Sequence, residues 1–253
     1  MDRVAHLSKT KEIYFAPKRY EKTRNLSSLI LADAIIYLGN DFIRSRYEEL
    51  SNVDLYNVQI IAQCYFKTSE MNRNFEKGKN SFLWLGSSGL ALKGLDLCLE
   101  YFSKHPELSL DICGPLEPEF AVAFQKELSL PNINHHGFID ISSSKFKEIA
   151  ERCVFTIFPS FSEGQAGSVV TAMKLGLIPI VSPNSGIVLQ NFGHYIQNHQ
   201  IDEAVKEILQ YDHKQLQEMS ERTRDFAMNN HSLEKYQKDM KTHIHSILNK
   251  NER

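Results

Sequence analysis

The segment best suited to chemistry is a small-residue loop that follows a buried apolar run. It spans residues 158–170 (FPSFSEGQAGSVV) and contains Glu163 and two glycines. Because ligands of open parallel sheets bind outside the carboxyl ends of the strands, a ligand belongs at this loop. The first N–H groups of the next predicted helix, at residues 167–169, carry partial positive charge suited to a diphosphate. Glu163 is suited to accept hydrogen bonds from sugar hydroxyls, and a solvated loop carboxylate is the alternative.

A second strand, glycine loop and helix pattern spans residues 82–96 (FLWLGSSGLALKGLD). The intervals between its glycines fit neither G-x-G-x-x-G nor G-x-x-x-x-G-K-[ST], which argues against a dinucleotide-binding dehydrogenase and a P-loop ATPase. Lys93 opens the helix at the same sheet edge as Glu163, where its charge would neutralise a leaving phosphate. A merely solvated lysine fits the position equally well.

The elements that position these loops form a regular series from Ser81 onward, in which short apolar runs alternate with amphipathic stretches. This rhythm predicts an α/β fold with a Rossmann-like parallel sheet buried between helices. Strands are predicted at residues 82–85, 108–113, around Ile133, 154–158 and 178–181. Helices between them are predicted from apolar spacings of three and four, at Leu95–Phe102, Phe120–Leu128, Phe146–Cys153 and Val169–Leu175.

Helices are predicted to dominate after Gly193, at residues 201–209, 216–228 and 232–248. Ser232 is the expected N-cap of the last one. An apolar stripe on that helix, formed by Leu233, Tyr236, Met240 and Ile244, predicts a helical cap packed on the α/β core.

Residues 1–80 have a different character, because only 34–38 and 58–61 look like strands. We expect a partial N-terminal α/β domain and linker over 1–80, with residues 67–80 as the best linker, and one larger domain over 81–253. Residues 1–24 carry seven basic and three acidic side chains. A solvated face is favoured for them over an anionic membrane or substrate contact.

The composition is that of a folded globular protein, with 42% hydrophobic and 24% charged residues among 253. It excludes a disordered chain, a collagen-like repeat and a coiled coil. The net charge of −2 gives no overall field that would favour nucleic acid. No apolar run approaches the ~18 residues of a membrane span, and no secretory signal is visible, so the expected location is cytoplasmic.

Cysteine and histidine spacings indicate structural roles. The four cysteines lie far apart, and three sit inside apolar runs, which favours burial in the core. Neither His135 with His136 nor His243 with His245 has the spacing that places two metal ligands on one face, so no metal site is expected. No G-x-S-x-G nucleophile motif occurs.

Taken together, the two loops resemble the nucleotide-sugar-binding half of a retaining GT-B glycosyltransferase. The family they resemble is the large glycosyltransferase group 1, which is also described as family 4-like. The resemblance covers about residues 82–248, and its ordered series of motifs is more specific than any one piece. The series comprises Gly86, Lys93-Gly94, Ile112-Cys-Gly114, Gly137-Phe138, Pro159-Ser160, Ser162-Glu163-Gly164, Ala172-Met173, Gly176, Pro179-Ile-Val181 and His231-Ser232-Leu233-Glu234.

The resemblance implies a donor site that takes a UDP- or GDP-linked sugar. It implies that Glu163 binds hydroxyls of the transferred sugar, that Lys93 binds the diphosphate and that the loop at Gly137 and Phe138 holds the base. The remaining implied donor contacts are Gly86, Ser87, Gly114, Gly164, Gln165, Ala166, Gly167, Ser168, Val169 and Thr171. The implied reaction is attack of an acceptor hydroxyl on the anomeric carbon with retention, stabilised by fixed positive charges without a metal or other cofactor.

Two residues depart from the family pattern. Thr171 stands where the family has a second Glu, after seven intervening residues. Ser87 or Ser88 stands where the family usually has an Arg that binds the phosphates together with the Lys. These changes predict either a divergent subfamily that compensates elsewhere, or a non-catalytic nucleotide-sugar-binding or partner-binding module.

An epimerase of the same two-domain fold ranks below the transferase and the binding module, because the sequence shows no paired carboxylate and His arrangement for proton abstraction at the sugar.

The partners other than the donor stay open. The acceptor, whether glycan, lipid or protein, is not identified, and neither is a peripheral contact with the cytoplasmic membrane face.

Overall fold

The computed structural model of the chain describes residues 3–11, 31–67 and 70–251. The basic stretch noted within residues 1–24 therefore lies mostly outside the described residues. The strands are β1 (Ala34–Leu38), β2 (Asp54–Val58), β3 (Ser81–Leu85), β4 (Ser109–Cys113), β5 (Ile133–His135), β6 (Phe155–Phe158), β7 (Ile178–Val181) and β8 (His194–Tyr195). The α-helices are α1 (Arg3–Thr10), α2 (Asp41–Glu48), α3 (Leu95–Phe102), α4 (Pro118–Ala123), α5 (Gln125–Leu128), α6 (Ser144–Arg152), α7 (Gly167–Lys174), α8 (Ile201–Ile208), α9 (His213–Asn230) and α10 (Leu233–Asn251).

Six strands form one parallel sheet in the order β5-β4-β3-β6-β7-β8. The predicted α/β class and the five predicted strands of this sheet are confirmed. The two-residue strand β8 was not predicted, because it is too short to carry an apolar pattern. In this order β3 and β6 are central neighbours, so the loops that follow them lie side by side.

A second sheet of two parallel strands joins β1 to β2, from Ala34 opposite Asp54 to Leu38 opposite Val58. The strand predicted at residues 58–61 is wrong, because the strand ends at Val58. Beyond Leu38 the chain turns at Gly39, with φ of +120°, into α2, so residues 59–61 have no strand of this sheet to pair with. The N–H of Ile60 instead donates to Oε1 of Gln165 at 2.6 Å.

The core of the large sheet is aromatic on one face. The rings of Phe82 and Phe155 stack at 4.9 Å, and those of Trp84 and Phe158 at 5.9 Å. Burial raises the pKa of the Cys113 thiol to about 12, and Cys98 and Cys153 are also buried. The prediction of core cysteines is confirmed for these three, because all of them are buried.

The last helix differs from its prediction. The hydroxyl of Ser232 accepts from the N–H of Lys235 at 3.2 Å, which confirms the N-cap. The predicted packing of the apolar stripe on the core is wrong, because Leu233 is 51% and Ile244 42% exposed. The helix meets β2 along a polar edge: Nε2 of His243 donates to O of Asn57 at 2.8 Å. A backbone carbonyl at the side of a two-stranded sheet requires such a donor, and an apolar side chain cannot supply one.

Buried side chains fix the small sheet to the large one. Nδ2 of Asn40 donates to the carbonyl oxygens of Pro183 and Ile187. Nζ of Lys174 donates to those of Ala62 and His231 at 2.9 and 3.0 Å. Since the contacts of Asn40 and Ala62 reach the large sheet from the ends of both strands of the small one, the two sheets form a single packed unit over the described residues. No helix among them is long and apolar enough to cross a bilayer.

Candidate functional site

A cavity of about 420 Å³ opens at the carboxyl ends of β3, β4 and β6. The predicted residues that line it are Gly86, Ser87, Lys93, Gly114, Phe138, Glu163, Ala166, Gly167, Ser168 and Thr171. Residues that sequence reasoning did not single out complete it, namely Leu85, Cys113, Pro115, Ile139, Ile141 and Phe158. Lys93 and Glu163, which are 70 residues apart in the sequence, thus line one space.

The other predicted residues lie beside the cavity rather than on its wall. Gln165 is buried, and its amide nitrogen donates to Gln59 and to O of Gly186. Val169 is buried in the core. The carbonyl of Gly137 accepts from the N–H of Gly114 at 2.9 Å. Gly164 faces the small sheet, since a Cβ on Gly39 would lie 2.5 Å from its carbonyl oxygen.

The two charged candidates meet inside the cavity. Nζ of Lys93 donates to Oε1 of Glu163, and the two side chains are only 11% and 14% exposed. The ammonium group also lies 5.9 Å from the ring centroid of Phe158. The pair therefore sits in a partly desolvated space, where charges act more strongly than in water.

Glycine brings the two charged loops together. Gly94 has φ of +71°, and a Cβ there would lie 2.3 Å from the carbonyl oxygen of Pro159. The carbonyl of Leu92 accepts from the N–H of Phe161 at 2.8 Å and from the hydroxyl of Ser160 at 3.1 Å. Only a residue without a side chain permits this approach, so packing requires a glycine at position 94. Lys93 beside it supplies the charge.

A third loop, after β7, holds the backbone around Glu163. The N–H of Glu163 donates to O of Asn184 at 3.0 Å, and Nδ2 of Asn184 donates to O of Phe161 at 3.0 Å. The N–H of Ala166 donates to O of Ser185 at 2.9 Å. The carboxylate is therefore carried on a backbone fixed at both ends.

The first turn of α7 borders the same cavity. The residue before this helix is Ala166, whose methyl group cannot accept a hydrogen bond from the first N–H groups. Those groups carry the positive end of the helix dipole, and Lys93 adds a full charge nearby. An anion such as a diphosphate fits this arrangement.

The opposite rim of the cavity is apolar. Phe138 is 81% exposed, and it is joined there by Pro115, Ile139 and Ile141. The turn that presents Phe138 contains Gly137 with φ of +71°. An exposed ring beside an apolar wall can stack on a flat heterocycle such as a nucleobase.

Trp84 supports the floor of the cavity and was not identified as important from the sequence. A Cβ on Gly86 would lie 2.4 Å from its ring, and a Cβ on Gly114 would lie 2.2 Å from the carbonyl oxygen of Gly86. Nε1 of Trp84 donates to O of Lys93 at 3.4 Å. The floor therefore tolerates only glycine at both positions.

Gly39, Gln59 and Gly186 adjoin the Glu163 loop and were also missed. No sequence signal identifies them, because they touch the loop only through the tertiary fold. Within the described ranges, no group of three or more His, Cys, Asp or Glu side chains is placed to hold a metal ion.

Comparison with known proteins decides the family. A model described as "Glycosyl transferases group 1" matches residues 66–229, more than half of the chain. This chain belongs to the glycosyl transferase group 1 family. No curated protein matches it.

Solved glycosyltransferase structures share its fold. S. aureus TarM has a TM-score of 0.63 and 17% identity over 83% of this chain. Sucrose-phosphate synthase from Thermosynechococcus elongatus has a TM-score of 0.68 and 13% identity over 97%. WaaG, a glycosyltransferase involved in lipopolysaccharide biosynthesis, has a TM-score of 0.60 and 16% identity over 82%. These matches confirm the predicted α/β architecture of the GT-B type.

The chain is shorter than these relatives. It spans 43% of TarM, 66% of the sucrose-phosphate synthase and 60% of WaaG.

Proposed function

We propose that this member of the family carries the donor site of a retaining glycosyltransferase, which transfers a sugar from a UDP- or GDP-linked donor to an acceptor hydroxyl. The observation that supports it is the meeting of Lys93, Glu163 and the first turn of α7 at one cavity. In this proposal residues 81–253 are the donor domain, and residues 1–80 contribute part of the acceptor side. In this proposal the protein acts in the cytoplasm.

The diphosphate binds between Lys93 and the N–H groups of Gly167 and Ser168. In the free protein Glu163 neutralises the charge of Lys93. When the donor binds, its negative phosphates take over part of this neutralisation. The released carboxylate oxygens then accept hydrogen bonds from hydroxyls of the transferred sugar. The base lies against Phe138.

The reaction breaks the bond from the anomeric carbon to the β-phosphate oxygen and forms a bond from the same carbon to the acceptor oxygen. The acceptor proton passes to the departing diphosphate, which leaves with the electron pair of the broken bond. Lys93 and the α7 terminus stabilise the negative charge that develops on this phosphate, the task that a metal ion performs in other transferases. No metal is needed in this scheme.

The nature of the donor is suggested by the relatives. One TarM structure is a complex with UDP and alpha-GlcNAc-glycerol, and the pneumococcal O-GlcNAc transferase GtfA, with a TM-score of 0.58 and 17% identity over 86% of this chain and 46% of its own, is in complex with UDP and GlcNAc. UDP is therefore the first nucleotide to test.

A second candidate is a module that binds the nucleotide sugar with little turnover. It is favoured by Thr171, which stands where the family pattern has a Glu, and by Ser87 or Ser88, one of which stands where the pattern has an Arg; Ser87 and Thr171 both line the cavity. The loss of one positive charge weakens stabilisation of the leaving group more than ground-state binding.

Release of the nucleoside diphosphate separates the two candidates. The full chain is incubated with UDP- and GDP-linked hexoses and N-acetylhexosamines, and free UDP or GDP is measured by a coupled assay. Release above a Lys93→Met control supports the transferase. Tight binding without release supports the binding module, and neither binding nor release overturns both.

A further inference from the structure

A buried carboxylate lies in the middle of β4, the strand whose carboxyl end borders the cavity that holds Lys93. Asp111 is 2% exposed, although the residues beside it on the strand are the apolar Leu110 and Ile112. Its Oδ1 accepts from Nε2 of His136 at 2.6 Å. The same oxygen accepts from the guanidinium of Arg152 at 2.7 Å. A carboxylate paired with a guanidinium carries no proton, so the imidazole nitrogen that faces it is the donor.

The stability of the sheet does not explain this carboxylate. In a buried ion pair the loss of hydration offsets most of the attraction, and replacement by apolar residues is often neutral or stabilising. The residue opposite Asp111 on β3 is Leu83, which is fully buried. An aliphatic residue at position 111 would therefore serve the core as well, and the reason for Asp111 lies in the groups that it holds in place.

One of these groups, His136, directly follows the edge strand of the sheet. That strand, β5, has only three residues, of which only Ile133 is buried, so burial holds the chain beyond it weakly. The backbone N–H of His136 donates to O of Ile112 at 2.9 Å. The bond from its imidazole to Asp111 fixes the same residue through its side chain.

The turn that begins at His136 presents Phe138 to the cavity. Because the ring of Phe138 is largely exposed, its position is decided by the backbone on either side of it. After it, Ile139 and Ile141 pack on a core cluster that includes Phe146. Before it, the imidazole of His136 supplies the side-chain anchor, one glycine away from the ring.

The other end of this network is rigid. Arg152 is the last residue of α6, where the carbonyls of Ala150 and Cys153 accept from Arg73. The thiol of Cys153 also donates to Oδ2 of Asp111 at 3.6 Å. Asp111 is therefore held by its own strand and by the end of α6, and it transmits that fixed position to His136.

We propose that Asp111 and His136 are positioning residues for the base of the nucleotide sugar, because they hold the turn that presents the ring of Phe138. The inference rests on the proposed function, in which the base lies against Phe138. A platform that is already in place loses less conformational freedom when the base stacks on it, so the pair raises the affinity without touching the ligand. The effect is confined to ligands that carry a base.

The test compares UDP with inorganic pyrophosphate, which has two phosphates and no base. Binding of both ligands to the full chain is followed by calorimetry and by the fluorescence of Trp84, the single tryptophan, which lies under the cavity. His136→Leu removes the donor to Asp111, whereas His136→Gln keeps an N–H donor on the side chain.

The matched control is His194→Leu. His194 lies on β8, at the opposite edge of the sheet, and pairs with Glu207 at 3.2 Å. Its side chain is 13% exposed, against 18% for His136, so both variants break a largely buried histidine–carboxylate contact.

We expect His136→Leu to bind UDP at least about fivefold more weakly, the lower end of what a base stack contributes, and to bind pyrophosphate like the parent. His136→Gln and His194→Leu should bind both ligands like the parent. In a Phe138→Ala background, where the platform is absent, His136→Leu should cause no further loss of UDP affinity.

Equal weakening of UDP and pyrophosphate in His136→Leu overturns this inference and leaves the donor site standing, because the variant then disturbs the whole cavity. An unchanged UDP affinity, an equal loss in His136→Gln, or a further loss in the Phe138→Ala background also overturns it. A parent chain that binds neither ligand overturns the proposed donor site and this inference with it.

Discussion

The ammonium group of Lys93 donates a hydrogen bond to the carboxylate of Glu163 inside the cavity at the carboxyl ends of β3, β4 and β6. This contact joins the β3–α3 loop to the β6–α7 loop, which are 70 residues apart in the sequence. In the free protein each group compensates the other, so a nucleotide sugar that engages one of them necessarily alters the other.

Replacing Lys93 by Met removes the positive charge proposed to bind the diphosphate. A charge-assisted hydrogen bond contributes about 1.5–3 kcal/mol, so we expect UDP to bind roughly 10–150-fold more weakly. Fluorescence titration of Trp84 measures the change. Lys11→Met is the matched control, because Lys11 also pairs with a glutamate, Glu127, and also lies over a phenylalanine ring, away from the cavity. Equal UDP affinity in the two variants contradicts the role of Lys93.

Gly114→Ala is expected to damage both stability and binding. The added Cβ would lie 2.2 Å from the carbonyl oxygen of Gly86, so the floor of the cavity must shift. We expect the free energy of unfolding to fall by about 3 kcal/mol, with loss of UDP binding. Gly137→Ala is the comparison: its φ is +71° but no atom lies within 4 Å of the added Cβ, so only about 1–2 kcal/mol is expected. Urea unfolding gives both values, and a Gly114→Ala variant with parental stability and affinity would refute the geometry.

Arg73 stabilises the ends of two helices at once. Its guanidinium donates to the carbonyls of Ala150 and Cys153 at the end of α6 and to those of Leu175 and Gly176 after α7. Burial lowers its pKa to about 10, so it stays charged at neutral pH. Arg73→Met should lower the free energy of unfolding by about 3 kcal/mol or more, because several carbonyls lose a charged donor.

The control for that loss is Arg44→Met, which breaks an exposed i,i+4 pair with Glu48 and should leave the urea midpoint unchanged. Equal midpoints for the two variants would show that the Arg73 contacts contribute nothing specific.

His231 should make stability depend on pH. Burial lowers its pKa from 6.5 to about 4, and Nδ1 donates to O of Ile60 at 2.9 Å. At a pH between 4 and 6.5, His231 binds a proton in the unfolded chain but not in the folded one. Its contribution to the free energy of unfolding is therefore fully present above pH 6.5 and is lost as the pH falls toward 4. The expected contribution is on the order of 3 kcal/mol.

Urea unfolding at about pH 7.5 and about pH 4.5 measures this dependence, because most of the pH range between the two pKa values lies between these conditions. A His231→Gln variant, which cannot titrate, should show a correspondingly smaller loss between the two pH values. Identical losses in the parent and the variant would assign the dependence to other groups.

Much of the large sheet could be predicted, because its strands are short, apolar on both faces and bounded by glycine loops. The convergence of Lys93 and Glu163 also followed from the rule that loops at the carboxyl ends of neighbouring parallel strands share one edge. The family motifs predicted most of the other polar residues and glycines that line this cavity.

Other features could not be predicted, because they depend on contacts distant in sequence. The end of β2 is decided by the turn at Gly39, and the side chain of Gln165 takes up the N–H of Ile60. The helix α10 contacts β2 through His243 and Lys250, whereas periodicity shows only that an apolar stripe exists. Trp84 lies in a short apolar run, and only the tertiary structure brings its ring against Gly86.

The most direct test of the donor site is calorimetric titration of the full chain with UDP, GDP and their sugar conjugates, alongside Glu163→Gln. The account predicts that one nucleoside diphosphate binds the parent and that its sugar conjugate binds more tightly. In Glu163→Gln the bare diphosphate should bind at least as well, because Lys93 is no longer neutralised, while the added affinity from the sugar is lost. A folded chain that binds none of these ligands, or a variant that keeps the full sugar increment, would contradict it.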